Sequence, residues 1–193
     1  MAFELLGWPE DGPTLRLDWE VFSYAGKFVM STTGKAVLRR DGTANGDSID
    51  PEDVLAAVAF NEDRTDETTL WLRYVTVRAD LRGEGLGPEL VSETVDRAMA
   101  RGYERIRIAV NNPFAYEALW KAGFGFTGEE TGIAELVLVY PREQALVAHG
   151  DADSMGELYR SGIERFRGRE TLSEKEREFL SVRRDAEPPG SDS

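Results

Sequence analysis

Apolar residues along the chain follow two rhythms, and the switches between them predict the elements. Two-residue alternation marks residues 14–18, where Leu15 and Leu17 flank Arg16, and reads as a first strand. Val21, Tyr24, Ala25 and Phe28 then fit helical spacing, with Asp18 placed as a cap, which predicts a helix within 19–30. Thr33 and Gly34 mark a turn before a short strand over 35–39, and the polar, Gly-bearing stretch 41–53 reads as a loop. Residues 54–61 and 68–78 are apolar runs rich in β-branched and aromatic side chains, and the polar stretch 62–67 suits a hairpin connection. The period then lengthens. Leu90, Val91, Val95 and Met99 form one stripe of a helix over 88–101, with Pro88 suited to its first position and Gly102 to its end. A strand over 105–110, a helix over 113–122 closed by Gly123, and strands over 124–127 and 133–140 complete the pattern.

Antiparallel hairpins followed by one parallel crossover place the chain in the α/β (α+β) class. The expected architecture is a mixed, mostly antiparallel sheet with helices on both faces. The expected domain is 1–141. A helical extension over 142–184 follows, in which Met155, Leu158, Tyr159, Ile163 and Phe166 share a face and Thr171 with Glu174 forms a capping box. It is expected to pack on the core or to form a subunit contact in a homodimer, and residues 185–193 are expected to be disordered.

Composition narrows the chemistry. The chain has 193 residues, 36 of them acidic against 23 basic, for a formal charge of −13. Such a charge opposes phosphate backbones and anionic lipid, so neither nucleic acid nor a membrane is an expected partner. Only four of the basic residues are lysines, and acid excess with scarce lysine resembles the proteins of salt-loving organisms. Cysteine is absent, which excludes disulfides, a thiol nucleophile and thiolate metal sites. A single histidine, His149, excludes a metal site built on several imidazoles and is read as exposed. The absence of a signal peptide pattern and of a long apolar run leads to the expectation of a cytoplasmic protein. Asp41, Thr43, Asn45, Gly46 and Glu52 approach a calcium loop. Thr at its third position and Pro51 argue instead for a solvated acidic loop, and no metal is expected.

The densest chemical signal is Arg82-Gly83-Glu84-Gly85-Leu86-Gly87, between an apolar strand and a helix. Alternate glycines let the backbone turn tightly and present successive N–H groups. The helix N-terminus adds a positive partial charge and Arg82 a full one, which together suit a pyrophosphate. The glycine spacing matches neither a P-loop nor a dinucleotide fingerprint, since Pro88 and Leu90 stand where the latter needs its last glycine.

Arg82-Gly83-x-Gly85-x-Gly87 resembles the acyl-CoA loop of the GNAT superfamily of acetyltransferases. Asn112-Pro113-x-Ala115 followed by Gly123-Phe124 resembles its later CoA motif, in the right order and at the right distance. The resemblance covers roughly residues 14–140. It implies acetyl-CoA as co-substrate and transfer of its acetyl group to a primary amine by direct attack. It also implies that the backbone of Val75, Thr76 and Val77 pairs with the pantetheine arm. The loop from Arg82 through Gly83, Glu84, Gly85 and Leu86 to Gly87 would then hold the pyrophosphate, with Asn112 contributing from the second block.

The chain departs from the family pattern at the acid and the base. The family's usual tyrosine acid falls on Leu119, which cannot donate a proton. Tyr116, one turn earlier, is the candidate acid, and its alternative reading is a packing aromatic. The strand positions that often supply a glutamate carry Trp71 and Arg73, so Glu135 on the last strand is the candidate base, with a water relay as the alternative. Trp71 and Tyr74 read as core residues rather than as a substrate cage. Two other functions stay open: a CoA-binding module that has lost transfer, and a structural or dimerisation protein reusing the fold. The acceptor is an amine-bearing small molecule or protein, and the acidic surface weakly favours cationic ones.

Overall fold

The computed structural model describes residues 1–41, 49–150 and 152–190. The near-calcium pattern falls largely on 42–48, and the chain end at 191–193 likewise lies outside the described residues. The class is the expected one: a mixed α/β fold with seven strands, mostly antiparallel, and five α-helices among the described residues. The chain divides into two compact units, Met1–Ile106 and Arg107–Ser193.

In the first unit four antiparallel strands run in chain order: β1 (Ala2–Gly7), β2 (Gly34–Arg39), β3 (Val54–Glu62) and β4 (Thr69–Val77). Helix α1 (Leu86–Arg101) follows β4. The register sets Val75 opposite Val58, Thr76 opposite Ala57 and Val77 opposite Ala56. Small alanines on β3 leave room for larger neighbours. Ala57 and Ala59 share one buried cluster with Leu15, Phe22, Phe28, Val37 and Val54, with Tyr74 packed against it. Each large apolar side chain buried there contributes about 1.5–3 kcal/mol.

The opening of the chain differs from expectation. Residues 14–18 form no strand; the first strand is β1, an edge strand whose residues are all half-buried, which blurs the alternation of its side chains. Residues 19–30 form turns and one 3-10 turn at Ala25–Lys27 instead of a helix. Tyr24 takes a left-handed conformation (φ 61°), which no α-helix accommodates. Phe22, Ala25 and Phe28 still bury, every third residue, so the apolar spacing was set by a packed loop.

Strand β5 (Arg105–Val110) leads into the second unit, which holds α2 (Pro113–Lys121), β6 (Gly125–Glu130), β7 (Leu136–Tyr140), α3 (Glu143–His149), α4 (Met155–Arg167) and α5 (Glu174–Ser181). Strands β6 and β7 form an antiparallel hairpin. Residues 131–135 are its turn rather than strand, and Ile133 is exposed. Helix α5 opens on a capping box of Ser173 and Glu176, two residues beyond the expected pair. His149 is half-buried, not exposed, with its ring edge on Phe126.

Candidate functional site

The glycine-rich turn follows β4 directly. Residues 79–81 make one 3-10 turn, and Gly83 and Gly85 then take left-handed backbone conformations at φ 88° and 85°. Only glycine adopts these without strain, and no atom lies within 4 Å of where a side chain would begin at either position. Gly85 caps α1 with no side-chain hydrogen bond. The Glu84 N–H is committed to the Leu81 carbonyl, that of Glu89 to the Gly85 carbonyl, and Pro88 has none. The N–H groups of Leu86 and Gly87 open a sixteen-residue helix, where no intrahelical acceptor exists. Arg82 is exposed beside them and donates to the Ser23 hydroxyl at 2.9 Å. An exposed turn with open space at two glycines, first-turn amides and a guanidinium fits a pyrophosphate.

On β4, Val75 and Val77 are half-buried, and the buried Thr76 hydroxyl has no hydrogen-bond partner among the described residues. One turn of strand earlier, β4 lines a cleft of about 600 Å³ with Trp71, Arg73 and Tyr74. Trp71 and Tyr74 are thus half-buried walls of the cleft, Tyr74 packing against the core cluster from its edge. The cleft's far rim comes from residues 27–33, and buried Lys35 fixes that rim. Its ammonium donates to the carbonyls of Pro13 (2.6 Å), Met30 (2.6 Å) and Thr33 (2.9 Å). Burial pushes its pKa down to about 8. The loop that leads into this rim reaches the turn after β4: the Val21 carbonyl accepts from the Ala79 N–H at 2.9 Å, and the Ser23 hydroxyl accepts from Arg82.

Asp63 at the cleft is held below the usual carboxylate range, at about 2, by the Thr65 N–H first and then by the Trp71 indole and the Thr65 hydroxyl. These bonds measure 2.8, 2.7 and 2.8 Å. From the sequence, Trp71 and Tyr74 were the visible part of this cleft and read as core, because its other walls come from the separate segments 27–33 and 61–65.

The second unit holds the remaining candidates. Asn112 caps α2, its side-chain oxygen accepting from the Ala115 N–H at 2.8 Å. Tyr116 is fully buried and its hydroxyl donates to the Tyr159 carbonyl at 3.0 Å. Its ring stacks on Tyr159 and meets Phe166 edge-on. A Cβ at Gly162 would lie 2.3 Å from its hydroxyl, so α4 approaches it through a glycine. Burial pushes the phenol well above its ordinary pKa. Leu119 is buried. Glu135 ends the β6–β7 turn, half-buried, its carboxylate accepting from the Thr131 hydroxyl at 3.2 Å.

Among the described residues no group of three or more His, Cys, Asp or Glu side chains is arranged to hold a metal, and no helix is long and apolar enough to cross a membrane.

Among solved structures, an N-acetyltransferase from Staphylococcus aureus Mu50 is 20% identical with a TM-score of 0.43, over 55% of this chain and 64% of that one. A GCN5-related N-acetyltransferase from Kribbella flavida is 21% identical with a TM-score of 0.42, over 56% of this chain and 67% of that one. The chain thus spans under two thirds of the first of these. No curated protein matches the chain significantly. The acetyltransferase (GNAT) family model matches residues 7–126, a stretch that contains both the glycine-rich turn and the Asn112 block, and the chain belongs to that family.

Proposed function

We propose that the chain is an N-acetyltransferase that moves the acetyl group of acetyl-CoA to a primary amine by direct attack. The observation that carries this reading is the turn at Gly83 and Gly85, whose left-handed backbones open onto the start of α1, which no side chain caps. The amides of Leu86 and Gly87 and the guanidinium of Arg82 would hold the pyrophosphate. The backbone of residues 75–77 would align the pantetheine arm. Acetyl-CoA supplies an activated thioester. The chain must bring the amine to it, accept a proton from the amine and return one to the departing thiolate.

Glu135 is the proposed base and a water relay its substitute. Tyr116 remains a named candidate acid, but its burial and its bond to Tyr159 favour a second reading: a CoA-binding module without transfer. The two are separated by one pair of measurements. Calorimetric titration with acetyl-CoA is expected to show micromolar binding that Gly85→Val abolishes, since a β-branched residue at φ 85° must rebuild the turn. Free-thiol release is then followed over an amine panel. Release marks the transferase, binding without release marks the module, and a folded protein that binds no acetyl-CoA sinks both.

A further inference from the structure

We propose that the cleft beside β4 binds a small amine that also carries an anionic group, a carboxylate or a phosphate, next to an apolar body. Three cations line the cleft, Lys27, Arg64 and Arg73, against one carboxylate, Asp63. The chain as a whole carries −13, so this local excess of positive charge runs against the molecule's composition. Among the described residues, none of the three cations forms an ion pair with a carboxylate. Asp63 is occupied by the Thr65 N–H, the Thr65 hydroxyl and the Trp71 indole.

Arg73 is held in place. Its Nε donates to the Asn61 side-chain oxygen at 2.7 Å, and its guanidinium lies 4.9 Å from the centre of the Trp71 ring. That leaves its terminal nitrogens to form a fork for a planar or tetrahedral anion. Lys27 stands 5.7 Å over the Tyr74 ring, so an aromatic wall backs a second cation. Arg73 is exposed at the cleft yet partly desolvated there, and this, more than its repulsion by Arg64, disfavours its charge, while Asp63 offsets part of the cost. An anion at the Arg73 fork offsets the rest. A polyamine or a lysine-rich peptide would meet the same three charges with the wrong sign, although the net charge of the chain attracts it from a distance.

Binding of the anion does not depend on the transfer reading; its role as acetyl acceptor does. The test is calorimetry on the full chain, first without acetyl-CoA, with phenylalanine, its phosphonate analogue, phenethylamine and spermidine. Phenylalanine and phenethylamine differ only by the carboxylate. Phenylalanine or the phosphonate is expected to bind at least about tenfold tighter than phenethylamine, the scale of a charge-assisted hydrogen bond. Whichever of the two binds tighter identifies the anionic group. Arg73→Gln is expected to erase the difference and Arg73→Lys to keep part of it. Arg64→Gln, on an exposed residue, serves the same purpose should the Arg73 variants fail to fold. Equal binding of phenylalanine, the phosphonate and phenethylamine overturns the proposal. So does tighter binding of spermidine, or no saturable binding of either anion up to about 10 mM. Thiol release with acetyl-CoA separates the two readings. Anion binding with no release on any amine removes the transferase and keeps the cleft. Release on spermidine alone keeps the transferase and removes the cleft.

Discussion

Two tyrosines frame what the molecule does with its aromatic residues. Tyr116, in the second unit, is fully buried, stacked on Tyr159 and hydrogen-bonded to a helix carbonyl. Tyr74, in the first unit, is half-buried at a cleft, beside Tyr24 and under the Lys27 ammonium. A buried phenol must satisfy its hydroxyl and so becomes tied to one geometry, whereas a rim phenol keeps a face and a tip for a ligand. Proximity in sequence to a motif therefore says little about which tyrosine meets a substrate. Burial and the destination of the hydroxyl say more.

Truncation separates the two tyrosines most. Tyr116→Ala is expected to cost about 3–5 kcal/mol of unfolding free energy, as large buried aromatics do. Tyr74→Ala is expected to cost less than half of that and to weaken ligand binding instead. Urea denaturation of both variants checks the pair, and equal losses would erase the distinction.

Gly162→Ala tests the same packing from the other side. The new methyl would meet the rigid Tyr116 ring, and the expected loss is about 2 kcal/mol despite the better helix propensity of alanine. A stabilised variant would mean that the ring can move and that its hydroxyl is not held.

Titration separates the units further. The Lys35 pKa of about 8 lies below its unfolded value of about 10.4, so between these pH values the unfolded chain binds more protons. Stability is expected to rise with pH from about 8 towards 10, and then to fall as the buried tyrosines, raised by burial in Tyr116 and Tyr159, oppose ionisation. Lys35→Met should remove the rise and leave the fall, as read from denaturation midpoints across that range. Asp63 acts in the opposite window: its lowered pKa contributes stability above about pH 4 that is lost as the pH drops towards 2.

The smallest expected effect is that of Tyr116→Phe, about 1 kcal/mol for one buried hydrogen bond, with thiol release unchanged. A hundredfold drop in release with stability intact would instead make Tyr116 the acid.

The element order was legible in the sequence although its first member was misplaced. Strands were expected at 14–18 and found at Ala2–Gly7, because Leu15 and Leu17 alternate as a strand does while lying in an extended loop. Leu15 even pairs its backbone, its N–H donating to the Phe28 carbonyl at 2.9 Å, without joining a ladder of strands. Edge strand β1 is half-buried throughout and so gives no clean period. The strands β2 to β5, the helices α1 and α2 and the glycine-rich turn were all readable within a few residues, because local conformation alone requires those residue types there.

Local chemistry thus determined the glycine-rich turn and made the family legible: alternate glycines stand at a strand-to-helix junction, and the left-handed backbones of Gly83 and Gly85 follow from the absent Cβ. Only the tertiary structure decided the cleft, the buried Lys35 clamp and the burial of Tyr116. Each depends on residues far apart in sequence: Lys27 and Tyr74 at the cleft, Pro13 and Lys35 across a loop, Tyr116 and Gly162 across two helices. Burial, hydrogen-bond partners and local charge arise from those meetings, and no pattern of neighbouring residues encodes them.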